Sequence, residues 1–188
     1  MTSPKGAHRA AFSPLLRNLM VDSVQSACAA LGLEVRVETP FERNAMVASG
    51  DYIAGIRVVG NSFQGSVTLL ADKALAIACA EKIFAQSQAK IDDLMLCDLV
   101  GELCNQMTGV LQRTLGQKGC VVKVDAQKTS QSLSGLELGI SPQEWLLVPF
   151  KFGVGGGFFC FGYVGDFAFG EDEVQENLTD ARNITFFE

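Results

Sequence analysis

Glu102 and Asn105 lie three residues apart in DLVGELCNQMTGVLQRTLG (98–116). A carboxylate and an amide at this spacing share one helical face, where they can take a cation or a hydrogen bond from whatever docks there. At about 100° per residue, Asp98, Glu102, Asn105, Gly109 and Gln112 fall within a sector of about 80°. Leu96, Val100, Leu103, Met107, Leu111 and Thr114 fall opposite, flanked by Leu99, Val110 and Leu115. Periodicity leaves two readings open: the solvated back of a core helix, or a polar face kept low for docking. Gly101 and Gly109 favour the second. A glycine inside a helix costs about 1 kcal/mol relative to alanine, and a merely solvated face usually carries Lys, Glu, Gln or Arg at such positions. Two glycines lower the surface around the polar pair and suit close approach by another protein's backbone.

Other chemistries find no support. GVGGGF (153–158) has Phe158 where a dinucleotide-binding loop needs its third glycine. Strand-like FFCFGYV follows it, so no helix N-terminus is available to hold a phosphate. The single histidine, His8, lies in a polar leader, and Cys28, Cys79, Cys97, Cys104, Cys120 and Cys160 form no CxxC pair. A zinc site and a Ser/His or Cys/His nucleophile system are therefore not expected. Cys28, Cys79, Cys97 and Cys104 fall inside helical patterns, where reduced cysteine acts as a small hydrophobe, so free buried thiols in a reducing cytoplasm are expected.

The chain that must position the polar pair has 188 residues, 48% hydrophobic and 19% charged, with 13 Phe. That length and apolar content predict one domain with a substantial core. The net charge of −6 and the lack of any Lys/Arg cluster argue against nucleic acid or an anionic membrane as main partner. MTSPKGAHRAAFSP has no apolar signal-peptide region, and no stretch approaches the roughly 18 apolar residues of a membrane span.

Ser13 as N-cap and Pro14 at the first helical position open a helix to about Leu31, ended by Gly32. EVRVE (34–38) alternates as a strand. Residues 51–62 and 63–71 read as a hairpin turning at Gly60-Asn61. A helix from Asp72 to Gln86 and a long one from Asp92 to Leu115 follow. CVVKVD (120–125) is a strand, 126–142 a loop or irregular edge, and EWLLVPFKFG with GFFCFGYVG a terminal hairpin around Gly153–Gly157. LGLEVRVE (31–38) and LGQKGCVVKVD (115–125) form a faint repeat, pointing to two related halves on one sheet.

DLVGELCNQMTGVLQRTLGQKG resembles the signature helix of the CheC/CheX/FliY family of chemotaxis phosphatases. That signature is Glu-x-x-Asn, a glycine four residues later and a Leu-Gly exit, here Glu102, Asn105, Gly109 and Leu115-Gly116. The leading helix ending at LGLEV, the strand GSVTL (65–69), the helix after it, and Ser141-Pro142 before the last strands follow the family order. The resemblance covers 13–165, with 1–12 as a polar leader and 166–188 as an acidic extension. With one visible copy of the motif, it is nearest the CheX branch; Asp22 and Gln25 on the first helix share the spacing but not the residue types.

The resemblance implies a single α/β (α+β) domain with a mostly antiparallel sheet, helices on one face, pseudo-twofold halves, and a homodimer. It implies a receiver domain bearing an aspartyl phosphate as substrate. The receiver would bring its own divalent metal (Mg) and a lysine, so this chain needs no cofactor or metal. Glu102 and Asn105 would then be the catalytic residues, Asn105 orienting the attacking water and Glu102 pairing with the receiver's lysine. Asp98, Gly101, Gly109 and Gln112 would border the partner. The alternative is a non-catalytic scaffold or adaptor of the same fold, gripping a receiver or a flagellar switch protein.

Overall fold

The computed structural model describes residues 12–44, 46, 50–85, 91–131 and 135–169. Its first helix, α1 (Pro14–Ala30), starts as its sequence dictates: Ser13 Oγ accepts from the Leu16 amide at 3.2 Å, and Pro14 needs no hydrogen bond. Two short strands follow, β1 (Arg36–Val37) and β2 (Phe41–Arg43), then the hairpin β3 (Tyr52–Val59) and β4 (Phe63–Ala71). Helices α2 (Lys73–Ile83) and α3 (Asp93–Gln117) come next, then β5 (Lys123–Val124), β6 (Lys128–Ser130), β7 (Trp145–Phe152) and β8 (Gly155–Gly165).

The strands form one antiparallel sheet in the order β1-β7-β8-β4-β3-β5, with β2 also on β7 and β6 also on β3. Alternate strand residues face the helices. Ala54, Ile56, Val58, Val67, Leu69, Leu146, Val148, Phe159 and Phe161 join Leu16, Met20, Leu75, Leu103 and Met107 in one core. The expected α/β fold, with an antiparallel sheet and helices on one face, is the one observed.

The opposite sheet face carries a smaller cluster of Ile53, Leu70, Trp145, Leu147 and Cys160, against which Leu136 and Phe158 pack. The 126–142 segment includes the irregular edge its sequence allowed. It contains β6, and Leu136 and Leu138 sit on this outer face so closely over Gly55 that a Cβ there would lie 2.6 and 2.8 Å from their methyl carbons.

Both long helices that flank the sheet end in the same way. Gly32 and Gly119 take positive φ, 71° and 79°. The amides of Leu33 and Cys120 reach back to the carbonyls of Cys28 and Leu115, each at 2.9 Å. This is the Schellman arrangement, and it requires a left-handed residue that glycine supplies without strain. The exit of α3 is thus Gly119; the expected exit, Leu115-Gly116, lies inside the helix.

Several other boundaries move. The strands expected over 34–38 and 120–125 shorten to two residues each, and β2 follows Pro40 directly. The second helix stops at Ile83, and Gln86 lies outside the described residues. The packed body draws on residues beside the expected 13–165 domain: Phe12 is buried, and the Phe167 ring sits 4.7 Å from that of Phe63.

The terminal hairpin turns at Gly153-Val154 alone, since Gly155–Gly157 already belong to β8. Asp72 locks this strand to α2. Its Oδ1 caps the helix by accepting from the Leu75 amide at 2.6 Å, its Oδ2 accepts from the Gly156 amide at 2.8 Å, and its own amide donates to the Gly156 carbonyl at 3.0 Å. Asp72→Ala removes a cap and strands a partly buried amide, so a loss of about 2–3 kcal/mol in urea unfolding is expected. Asp72→Asn should recover the cap only in part, because its single oxygen accepts from one N–H group and its NH2, a donor, must face the other.

Candidate functional site

Helix α3 has 25 residues, and Asp92 starts it by accepting from the Met95 amide at 2.9 Å. Its N-terminal turn is pinned to the sheet: Asp93 accepts from the Tyr52 hydroxyl at 2.6 Å and pairs with Lys73 at 3.1 Å. The tyrosine hydroxyl bond, then Lys73, hold the Asp93 carboxyl below its ordinary range. Leu96, Leu99, Val100, Leu103, Cys104, Met107, Leu111 and Leu115 are buried against α1 and the sheet. This fixes which way the other face looks.

On that outward face Asp98, Glu102 and Asn105 are exposed together. No described residue bonds the Asn105 side chain. Glu102 has one partner among the described residues, Gln106, whose Nε2 donates to Glu102 Oε1 at 2.6 Å. The ion pairs of the described residues engage other carboxylates and leave Glu102 without a cation among those residues.

The glycines and Gln112 divide. At Gly109 a Cβ would meet nothing within 4 Å, so the surface beside Asn105 is open. Gly101 is buried instead under the chain's own 127–129 segment, where a Cβ would lie 2.5 Å from Gln127 Nε2 and 3.0 Å from Thr129 Cγ2. Gln112 is also internal in its bonding: its Nε2 donates to the Val122 carbonyl at 2.9 Å. Gly101 and Gln112 therefore shape one border of the face by seating residues 122–129. Gln106 escaped the motif reading, although its spacing of four from Glu102 signals a helix-surface pair.

The chemistry available here is that of the exposed carboxylates of Asp98 and Glu102 and the exposed amide of Asn105. On the same helix, burial first, then Asp98 and Asp93, raise the pKa of Cys97, which keeps it protonated. The other five cysteines are buried, and all six are free; burial pushes Cys28, Cys79 and Cys104 up to about 12. Among the described residues no three His, Cys, Asp or Glu side chains come together as a metal site. A face of this kind can accept a cation and exchange hydrogen bonds with whatever docks there.

Residues 52–132, from β3 through α3 to just past β6, match the family model of the chemotaxis phosphatase CheX. Comparison with curated protein sequences found no match. Among solved structures, a CheC-like superfamily protein from Shewanella sp. PV-4 is 21% identical over 82% of this chain and 100% of its own, with a TM-score of 0.69. The chemotaxis protein CheX from Vibrio vulnificus is 20% identical over 80% and 99%, with a TM-score of 0.68. A CheX–CheY–BeF3–Mg complex from Borrelia burgdorferi matches at 18% identity over 78% and 96%, with a TM-score of 0.61. At these identities the structural likeness is one of fold; the family-model match spans both Glu102 and Asn105. The resemblance seen in the signature helix is borne out by both comparisons.

Proposed function

We propose that this chain binds a response-regulator receiver domain and accelerates hydrolysis of its aspartyl phosphate. One observation carries the reading: Glu102 and Asn105 stand exposed on one face of α3, with no partner for Asn105 and no cation for Glu102 among the described residues, inside the segment that matches the CheX family model. The Borrelia complex, in which a CheX is bound to CheY, supports a receiver as the partner. The receiver would supply the phosphoryl group, its Mg and a lysine. Glu102 would pair with that lysine and set the register, and the Asn105 amide would hold water in line with the phosphorus. No helix among the described residues is long and apolar enough to cross a membrane, and the reading places the protein in the cytoplasm with its substrate.

The test is the decay of several phosphorylated receivers with and without the purified protein. Faster decay of at least one supports the phosphatase. Binding without acceleration would replace it by an adaptor of the same fold.

Gly109 supplies a second test. A methyl group there meets no described residue within 4 Å, and alanine is the better helix former by about 1 kcal/mol. Gly109→Ala is therefore expected to raise stability by about 0.5–1 kcal/mol in thermal unfolding. If a receiver docks against this face, the same methyl group should raise KM several-fold. A variant that is more stable and equally active would show that the open space beside Asn105 is not an interface.

A further inference from the structure

We infer that Gln106 is a positioning residue for Glu102, aiming its carboxylate at the partner while leaving its charge intact. The inference rests on the reading that Glu102 meets a cation of the receiver. Gln106 Nε2 donates to Glu102 Oε1 at 2.6 Å, one helical turn away, and both side chains are exposed. A hydrogen bond to an ionised acceptor is stronger and more directional than a neutral one. It holds Oε1 in place and leaves Oε2 free of any bond to the described residues. An unrestrained glutamate would have to be ordered when the partner docks, and ordering a rotamer-rich side chain weakens binding.

The residue type at 106 matters as much as its spacing. Lysine four residues after glutamate makes a favourable helix-surface ion pair. It would also neutralise the carboxylate and compete with the receiver's lysine for the same oxygens. Glutamine keeps the orienting bond and adds no charge. A site that must receive a cation from outside needs that combination, whereas a face selected only for helix stability does not.

The experiment uses the full chain and a phosphorylated receiver, comparing wild type with Gln106→Ala, Gln106→Lys and Glu102→Gln. Gln106→Ala is expected to lower kcat/KM about three- to tenfold, mostly through KM, by freeing the carboxylate. Gln106→Lys is expected to lower it more than tenfold, again through KM, with melting temperature equal to or above wild type. A structural role gives the opposite order, with lysine as good as glutamine and better than alanine; that order overturns the inference. If Glu102→Gln collapses kcat/KM while both Gln106 variants match wild type, this inference fails and the function stands. If Glu102→Gln itself matches wild type, the underlying reading of Glu102 fails. Should the wild type accelerate nothing, the ranking of Kd for a beryllofluoride-loaded receiver decides instead: wild type tightest, then alanine, then lysine supports the inference, and any other order overturns it.

Discussion

Asn105→Ala is expected to slow receiver dephosphorylation about 100-fold or more, in kcat, while stability stays within about 0.5 kcal/mol of wild type. The expectation follows from what the side chain lacks. Asn105 is exposed and its side chain bonds no described residue, so its removal opens no cavity and strands no partner among them. Alanine is also the better helix former. The whole effect must then fall on whatever the amide does outside its own chain. Holding a nucleophilic water within reach of phosphorus replaces an encounter with solvent by an oriented contact, and misplacement by about 1 Å can cost 100-fold. Asn105→Asp tests the chemistry further, because a carboxylate there would face phosphoryl oxygens of its own sign. Single-turnover decay of phosphorylated receiver at saturating protein reads the step directly. Full acceleration by Asn105→Ala would remove the water-positioning role.

Much of this face was legible because a helix obeys one period. The buried set from Leu96 to Leu115 and the exposed trio Asp98, Glu102 and Asn105 fall where 100° per residue places them. The fate of Gly101 was not, because periodicity gives an angle and says nothing of what lies at that angle. The neighbour is Gln127, brought in by β6 pairing with β3, a contact between segments far apart in sequence. The helix exit shows the same limit. LGQKG offers two glycines, and only the reach of Cys120 back to Leu115 selects Gly119.

With Gly119 set against Gly32, the faint repeat becomes regular. In each case a two-residue strand begins four residues after the glycine and a three-residue strand nine residues after it. These strands are too short to alternate visibly. They exist because β7 and β3 offer edges to pair with, a tertiary cause that local sequence does not carry.

Glu102→Gln should give the complementary loss, about 10- to 100-fold in kcat/KM, carried by KM and weakening as salt rises. The substitution keeps the shape, so only the charge is lost, and with it the attraction to the receiver's lysine. Glu102 pairs with no cation among the described residues, so the variant releases no lysine or arginine of theirs into a new role. Its exposure also means that the fold is untouched, and a change in melting temperature would count against the charge account. Screening separates this residue from Asn105. The wild type should lose affinity for the phosphorylated receiver between low and physiological salt, and Glu102→Gln should lose less, while Asn105→Ala should keep the wild-type slope. The double variant then decides whether docking and chemistry are separate jobs. If Glu102 only sets the register, the two losses add as free energies; if the Glu102 contact also fixes the angle at which Asn105 meets the water, their sum will exceed the loss in the double variant.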